Sequence, residues 1–409
     1  MSEPDVSNLL TVAQAIEIID SVPVSPRIIS QSLLNSAGLR LAQDIIADRD
    51  YPPFDKSLMD GFAIRVADAI GDAFTLRVVG EIAAGKSPSR TIGAGECMSI
   101  YTGAPMPDGA DSVVPVEFAE NRSGDSVTLR AAVRAGQNIA RRGADCPAGK
   151  VLLTKGSRLT PAAIAVAASV GAAEVQVFAP PRVVVLSSGD ELVPIDQSPL
   201  TAQIRNSNGP MLVTLLQRLG CDARDAGWAQ DEPAAIRAAI QSVIDDTDVL
   251  VLSGGMSMGE YDFIPRVLKE MGVDLRITKL KIKPGKPFVF GTSPQAAGTF
   301  VFGLPGNPVS GFACTIRLCS RLLARVAGGS GCDAESWIHG PLTEALPANG
   351  PREFYQPAIL NRDGSITPLQ WKGSADIYTL ARANALLVRA ENEPPQNVGT
   401  NARVLLIPT

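Results

Sequence analysis

Short apolar runs alternate with amphipathic helical runs between residues 183 and 326, and this alternation constrains the fold more than any other feature. The apolar runs are continuous and mostly β-branched or leucine, which is typical of strands buried on both faces. They cover residues 183–186, 249–252 and 299–302, and helical patterns cover residues 209–219, 233–244, 265–271 and 309–326. Alternating strands and helices predict a mostly parallel sheet between two helical layers, a three-layer α/β/α domain.

A polar, glycine-containing loop follows each predicted strand. The loops are Ser-Ser-Gly-Asp-Glu at 187–191, Ser-Gly-Gly at 253–255 and Gly-Leu-Pro-Gly-Asn-Pro at 303–308. Ligands of such sheets bind outside the carboxyl ends of the strands, and paired glycines let a bound group approach the backbone. We therefore expect Ser253, Ser257, Glu260 and Asp262 to place oxygens around an opening beside Gly254 and Gly255. An ordinary strand-to-helix turn is the alternative.

Three lysines alternate with two apolar residues in the segment 279–283. If this segment is extended, Lys279, Lys281 and Lys283 share one face, and Lys286 follows closely. A solvated strand edge is one interpretation. However, exposed ion pairs contribute only about 0.2–1 kcal/mol, so like charges crowded at a cleft gain little without an anion. The pattern thus favours a site for phosphate or another oxyanion.

Carboxylates accompany this cationic segment at Asp190, Glu191, Asp231 and Asp262. They could form a salt-bridge network, or they could hold Mg²⁺, which takes one or two carboxylates together with phosphates and water. The single histidine, His339, and the absence of a Cys-x-x-Cys pair disfavour catalytic triads and most transition-metal sites. Phosphoryl-type cleavage or exchange, driven by positioning and electrostatics, fits the remaining side chains.

The segments that flank the α/β region predict further domains. Short strand patterns at residues 74–80, 97–101, 112–115 and 127–129 indicate a small β domain, and others at 354–360, 365–369, 386–389 and 403–407 indicate a C-terminal β-barrel-like domain. Helix signals occur at 12–19, where Thr11 is the cap, at 30–47 and at 160–171. We divide the chain into a helical and extended linker domain (1–50 and 147–178), a small β domain (51–146), the α/β/α domain (179–327) and the C-terminal domain (328–409).

Composition limits the possible partners. Of the 409 residues 45% are hydrophobic, and the net charge is -5, which argues for a soluble globular protein and against a general nucleic-acid binder. Residues 1–8 are polar and acidic, unlike a secretory signal, and the most apolar helical candidate, 161–171, is too short to cross a bilayer. We expect a cytoplasmic protein that binds neither membrane nor nucleic acid.

Seven motifs in one order carry a resemblance that covers nearly the whole chain. They are Pro52-Pro53-Phe54-Asp55-x-Ser57-x-Met59-Asp60-Gly61, Tyr101-Thr102-Gly103-Ala104-Pro105, Gly109-Ala110-Asp111-x-Val113-Val114, Ser188-Gly189-Asp190-Glu191-Leu192, Ser253-Gly254-Gly255-x-Ser257-x-Gly259-x-x-Asp262, Lys283-Pro284-Gly285-Lys286-Pro287, and Gly303-Leu304-Pro305-Gly306-Asn307-Pro308-Val309-Ser310. Together they resemble the molybdopterin molybdenumtransferases, the molybdenum insertase family that includes MoeA and the gephyrin E domain.

The resemblance implies an elongated homodimer of four-domain subunits that inserts molybdenum from molybdate into adenylylated molybdopterin, with Mg²⁺-dependent hydrolysis and release of AMP. It implies that Asp231 and Asp262 hold the adenylate and Mg²⁺, while Asp60, Thr102, Asp145 and Glu191 complete the catalytic cleft. Asp60 and Thr102 would come from the other subunit. The implied substrate-binding and molybdate-binding residues are Ser253, Gly254, Gly255, Ser257, Lys279, Lys283, Pro284, Lys286, Pro305, Pro308, Arg352 and Ser374. Molybdopterin adenylyltransferase and downstream molybdoenzymes are the implied partners.

The sequence departs from the family at Lys56 and Leu58, where the family pattern has asparagine and alanine. This departure motivates one alternative, a non-catalytic paralogue that acts as a dimeric scaffold or cofactor carrier. A second alternative is a molybdopterin adenylyltransferase, which shares a sheet domain of this type but leaves the flanking β domains unexplained. The family has no lysine at position 281, so Lys281 is not assigned to the site. Molybdate and tungstate, both tetrahedral dianions, are not distinguished.

Overall fold

The computed structural model describes residues 9–256, 263–294 and 298–408. The chain divides into two compact units. The larger unit contains the described residues of Met1–Ser30, Gly38–Ala42 and Gln176–Thr409, and the smaller contains Gln31–Ala37 and Gln43–Val175. No helix in the described ranges is both long enough and apolar enough to cross a membrane.

A six-stranded sheet forms the centre of the larger unit. Its strands lie in the order Asp222–Ala229, Arg182–Ser188, Val249–Ser253, Phe300–Leu304, Val289–Thr292 and Asp274–Ile277. The first four are parallel, and the last two are antiparallel to their neighbours. The prediction of a mostly parallel sheet is confirmed, whereas the antiparallel edge was not predicted.

Alternate residues of the central strands belong to two separate hydrophobic cores. Val249 and Val251 lie in one core, and Leu250 and Leu252 lie in the other, because successive side chains of a strand point to opposite faces. The helices Asn208–Arg218 and Pro308–Cys314 contribute to the first core, and Pro233–Gln241 and Ile264–Glu270 contribute to the second. Full burial of each such side chain contributes roughly 1.5–3 kcal/mol. The three-layer α/β/α architecture is therefore confirmed.

Local sequence signals fix where several helices begin. Val12–Ser21 starts after Thr11, whose hydroxyl accepts a hydrogen bond from the Gln14 amide, while the Gln14 side chain accepts one from the Thr11 amide. Proline occupies the first turn of Pro233–Gln241, Ile264–Glu270 and Pro308–Cys314, where its missing N–H costs nothing. The predicted helix at 309–326 continues from Pro308–Cys314 through a π-helical segment, Thr315–Cys319, into Ser320–Val326.

The C-terminal sheet includes one strand from the middle of the chain. Its order is Ile282–Lys283, Glu353–Leu360, Ala385–Arg389, Asn401–Leu406 and Trp337–Pro341, with Ile366–Pro368 paired to Glu353–Leu360. A short helix, Ile377–Leu380, precedes Ala385–Arg389. Ile282–Lys283 runs parallel to Glu353–Leu360, which places Lys283 opposite Phe354. The predicted C-terminal β structure is confirmed, and it includes part of the cationic segment.

The smaller unit contains a second six-stranded sheet. Its order is Ser112–Pro115, Gly61–Ile64, Glu96–Ile100, Phe74–Ile82, Ser126–Leu129 and Ala119–Ser123. The predicted small β domain is thus confirmed as a fold element. Pro161–Ser169 is the predicted helix, and the Thr160 hydroxyl accepts a hydrogen bond from the Ala163 amide at its start.

The predicted helix over residues 30–47 is wrong. This stretch contains the end of a strand, Ile28–Ser32, which pairs with Glu174–Phe178, then a 3-10 turn, Leu34–Ser36, and a short strand, Ile45–Ile46, which pairs with Val151–Leu153. Gly38 has a φ of 82°, which a right-handed helix does not accommodate. Backbone pairing with neighbouring segments uses the groups that a helix would bond internally, so tertiary contacts override the helical spacing.

Candidate functional site

A pocket of about 250 Å³ opens at the carboxyl ends of Arg182–Ser188 and Val249–Ser253. We call it the strand-end pocket. It is lined by Ser187, Ser188, Glu191, Leu192, Ile204, Arg205, Asn206, Ser207, Asn208, Asp231, Ser253, Gly254, Gly255, Gly306 and Pro308. Six residues predicted for the site, Glu191, Asp231, Ser253, Gly254, Gly255 and Pro308, therefore meet at one place.

Asn208 connects two of the loops around this pocket. Its side-chain amide donates to the Ser253 hydroxyl at 3.0 Å and to the Gly306 carbonyl at 2.7 Å. Ser253 itself is buried. The amide thereby holds the end of one central strand against the loop that follows the next strand. Sequence reasoning missed Asn208; its place at the start of a helix was the only available signal.

Backbone packing explains the paired glycines. Gly254 has a φ of 100°, and a Cβ atom there would lie 2.2 Å from the Ser188 carbonyl oxygen. Gly255 has a φ of 58°. A side chain at position 254 is excluded by neighbouring backbone and by conformation. The turn interpretation thus explains these glycines, and their place in the lining of the strand-end pocket leaves ligand binding as a prediction.

Two hydrogen bonds fix the position of Asp231, one of the acids of this pocket. The Ser188 hydroxyl donates to Asp231 Oδ1, and the Asp231 amide donates to Asp190 Oδ1 at 3.0 Å. Asp190 therefore orders the backbone of Asp231. Predicted residues Ser257 and Asp262, with Glu260, lie outside the described residues.

The side-chain atoms of the strand-end pocket that could coordinate a metal ion are mostly oxygens. Asp231 and Glu191 supply carboxylates, and Ser188 supplies a hydroxyl. Within the described ranges no group of three His, Cys, Asp or Glu residues is placed to hold a metal. A few hard oxygen ligands fit Mg²⁺, which keeps several waters and binds substrate phosphates, better than they fit a metal caged by protein.

A second pocket, of about 380 Å³, lies beside the C-terminal sheet. We call it the basic pocket. It is lined by Lys283, Pro284, Gly285, Lys286, Pro287, Pro305, Asn307, Ser310, Arg352, Trp371, Gly373 and Ser374. Six more predicted residues, Lys283, Pro284, Lys286, Pro305, Arg352 and Ser374, therefore come together. The loop 303–308 contributes to both pockets, through Pro305 and Asn307 here and Gly306 and Pro308 at the strand ends.

The cations of the segment 279–286 are not equivalent. Leu280 and Ile282 are buried, as the alternation predicts. Lys281 forms an ion pair with Glu391, with Nζ and Oε2 3.0 Å apart, whereas Lys283, Lys286 and Arg352 have no ion-pair partner among the described residues. Lys279 lines neither pocket. The basic pocket thus presents three positive charges without an ion-pair partner among the described residues. The sequence alternation had instead grouped Lys279, Lys281 and Lys283.

The remaining predicted residues, Asp60, Thr102 and Asp145, belong to the smaller unit. Asp60 Oδ1 accepts hydrogen bonds from the Thr102 hydroxyl and from the Thr102 amide, each 2.7 Å long. Donation first from the hydroxyl and then from the amide holds the pKa of the Asp60 carboxyl below its usual range. Asp145 is exposed, and its amide donates to the Tyr51 carbonyl at 2.9 Å.

Models of three protein families match consecutive parts of the chain. The MoeA N-terminal region (domain I and II) matches residues 10–171, the probable molybdopterin binding domain matches 184–325, and the MoeA C-terminal region (domain IV) matches 339–407.

Curated relatives and solved structures agree with these matches. The molybdopterin molybdenumtransferase of Haemophilus influenzae is 35% identical over 321 residues, which is 78% of this chain and 78% of that protein. The molybdopterin molybdenumtransferase of Nostoc sp. is 31% identical over 379 residues, covering 91% of this chain and 87% of the other. A crystal structure of the molybdopterin biosynthesis MoeA protein from Pyrococcus horikoshii has a TM-score of 0.84 and 26% identity, covering 98% of this chain and 100% of that one.

Proposed function

We propose that this chain, which belongs to the molybdopterin molybdenumtransferase family of molybdenum cofactor biosynthesis, inserts molybdenum from molybdate into adenylylated molybdopterin and releases AMP. The observation that carries the proposal is the pair of pockets that share the loop 303–308. One pocket is rich in oxygen donors and the other in uncompensated cations. A substrate with an adenylate at one end and a metal acceptor at the other needs two such adjacent environments.

The strand-end pocket is proposed to hold the adenylate. The helix Asn208–Arg218 begins there, and amide groups at a helix N-terminus favour phosphate. Asp231 and Asp262 would hold Mg²⁺, with Glu191 nearby. Bound Mg²⁺ neutralises negative charge on phosphate oxygens. Hydrolysis breaks the bond between the AMP phosphorus and the molybdopterin phosphate oxygen, and water supplies the new oxygen atom.

The basic pocket is proposed to hold molybdate. Lys283 and Arg352 supply charge-assisted hydrogen bonds, and the Ser374 hydroxyl supplies a neutral donor. Pro284 and Pro305 form uncharged walls, and Lys286 adds a further positive charge. The resemblance to the family adds Ser257 and Lys279 to the proposed set, and of these Lys279 does not line the pocket itself. A dianion placed here neutralises charges that otherwise repel one another.

The smaller unit is proposed to act on the same cleft from the second subunit of a homodimer. Its contribution is Asp60, whose carboxyl pKa is lowered by hydrogen bonds from Thr102, together with Asp145. In the described residues Lys56 forms no salt bridge with Asp60. Asp60 instead accepts hydrogen bonds from Thr102, which argues against silencing of Asp60 by an ion pair with Lys56. We propose a cytoplasmic enzyme that receives its substrate from an adenylyltransferase and supplies downstream molybdoenzymes.

AMP release tests the proposed reaction. Purified protein is given adenylylated molybdopterin, Mg²⁺ and molybdate, and AMP is measured by chromatography. We expect Asp231→Asn to lower the rate by at least about 10²-fold, since charge stabilisation of this kind is typically that large. The matched control is Asp246→Asn, an exposed acid before the amino end of Val249–Ser253, for which no change is expected. Absence of AMP from the wild-type protein with intact substrate would refute the reaction.

Two further assays separate the alternatives. Lys56→Asn restores the family residue; a large gain in AMP release would mean that the natural chain is a poorly active or non-catalytic paralogue. Formation of the adenylate from ATP and molybdopterin by the isolated protein would instead indicate an adenylyltransferase. The proposal expects little change in the first assay and no product in the second.

A further inference from the structure

Among the described residues the Lys283 ammonium group contacts an aromatic ring and forms no ion pair with an acid. Lys283 and Phe354 are directly paired on the parallel strands Ile282–Lys283 and Glu353–Leu360. The Nζ atom lies 4.8 Å from the centroid of the Phe354 ring. At this distance the negative face of the ring attracts a cation.

The acids near Lys283 are used elsewhere. Glu353 precedes Phe354 on the same strand, so its side chain lies on the opposite face. On that face it accepts a hydrogen bond from the Tyr355 hydroxyl and lies 4.0 Å from Arg317 Nε. Glu391 is paired with Lys281. Among the described residues Lys283 therefore has no carboxylate within ion-pair distance.

The Phe354 ring has a partner of its own. Its centroid lies 6.0 Å from that of Trp371, with 26° between the ring planes. Trp371 also lines the basic pocket. Stacking of this kind favours a defined ring orientation, so Phe354 presents a fixed surface to the ammonium group.

We propose that Phe354 is a positioning residue that fixes the Lys283 ammonium group for an oxyanion without neutralising it. The contrast with Lys281 gives the physical reason. A carboxylate partner holds a lysine but cancels the charge that an anion needs, whereas an aromatic face holds the lysine and leaves that charge available. This inference rests on the proposed binding of molybdate in the basic pocket and adds a residue that does not itself touch the anion.

Direct binding of molybdate, measured by calorimetry at neutral pH, tests the inference. Phe354→Leu removes the π face and keeps an apolar side chain, and we expect about fivefold weaker binding. Phe354→Tyr keeps the π face and is expected to bind within about twofold of the wild-type protein. Phe354→Met provides a second variant without a π face if the leucine variant folds poorly. AMP binding at the strand-end pocket and circular dichroism report whether each variant is intact.

The outcomes separate the inference from the function on which it rests. Unchanged molybdate binding in both the leucine and the methionine variants would overturn the role of Phe354 and leave the proposed function standing. Equal loss in the tyrosine and leucine variants would also overturn it, because packing alone would then explain the effect. If the wild-type protein binds AMP but no molybdate, the proposed binding of molybdate in the basic pocket is refuted, and the role of Phe354 is refuted with it. Weakening in the leucine and methionine variants with retention in the tyrosine variant supports the inference.

Discussion

Lys281 Nζ lies 3.0 Å from Glu391 Oε2. This ion pair distinguishes Lys281 from Lys279 and Lys283, which the sequence alternation places on the same face of the segment. The side chains of the ion pair are 19% and 25% exposed, so solvent screens the pair only in part. Sequence alternation makes Lys279, Lys281 and Lys283 equivalent. Their contacts make Lys281 structural and leave Lys283 available to a ligand.

Neutralising these two lysines should therefore have different effects. We expect Lys283→Gln to weaken molybdate binding by about tenfold or more, since it removes a charge-assisted hydrogen bond of roughly 1.5–3 kcal/mol. We expect Lys281→Gln to leave binding within about twofold and to lower the free energy of unfolding by about 1 kcal/mol. Calorimetry and urea unfolding measure the two quantities. Equal loss of binding in both variants would contradict the assignment.

The pKa of Asp60 should depend on Thr102. Thr102→Val removes the hydroxyl donor and keeps the amide donor, so the depressed pKa should rise part of the way towards its usual value of 3.8. Carboxyl carbon NMR of labelled aspartate follows this titration. Thr128→Val is the control, because that hydroxyl contacts only Thr75, at 2.9 Å, and should leave the Asp60 titration unchanged.

The same depressed pKa fixes the sign of a pH effect on stability. Asp60 binds its proton less readily when folded than when unfolded, so its contribution is present above the unfolded pKa. The contribution is lost as pH falls through the lower, folded pKa. We expect the wild-type protein to lose more stability than Thr102→Val on acidification below about pH 4, measured by urea unfolding.

Gly254→Ala should disturb the strand-end pocket more than a change of glycine elsewhere. Gly220, which follows the helix Asn208–Arg218, also has a positive φ, of 84°, but a Cβ atom there meets nothing within 4 Å. Gly220→Ala thus measures conformational strain alone, about 1–2 kcal/mol. We expect Gly254→Ala to cost at least about 1 kcal/mol more, from the clash with the Ser188 carbonyl, and to reduce AMP release. Equal costs in urea unfolding would contradict the described backbone contact.

Glu335 should be important for stability without acting in the reaction. Its Oε1 atom accepts from Arg317 Nη1 and, at 2.6 Å, from Arg321 Nη1, and all three side chains are nearly buried. Glu335→Gln removes the carboxylate shared by the two guanidinium groups and leaves Arg321 with Asp20 and Arg317 with the more distant Glu353, and we expect a loss of about 3 kcal/mol. Glu120→Gln removes an exposed pair with Arg130 and should cost less than about 1 kcal/mol. Thermal unfolding of the two variants measures the difference.

Continuous apolar runs predicted the central strands, because hydrophobic cores cover both faces of these strands. Sequence periodicity failed at residues 30–47, where helical spacing is overridden by backbone pairing. The sequence patterns also missed the strands Val289–Thr292 and Asp274–Ile277. Their antiparallel pairing depends on the path that the chain takes between strands and not on composition. Local patterns report which faces are buried, but not which strand lies next to which.

For the candidate site, too, local sequence patterns identified single residues but not their contacts in space. Residues within recognisable motifs, such as Lys283 and Glu191, do line the pockets. Asn208 and Phe354 were not found, because their importance lies in contacts across large sequence separations. Sequence reasoning selects chemically reactive groups more readily than the neutral side chains that hold them.

The strand Ile282–Lys283 is encoded between two strands of the central sheet but is hydrogen-bonded into the C-terminal sheet. The segment after residue 327 consequently cannot be replaced by the corresponding segment of another protein without loss of a strand contact. A chimera that joined this chain to another protein's terminus at residue 327 would inherit Lys283 without the Phe354 that faces it.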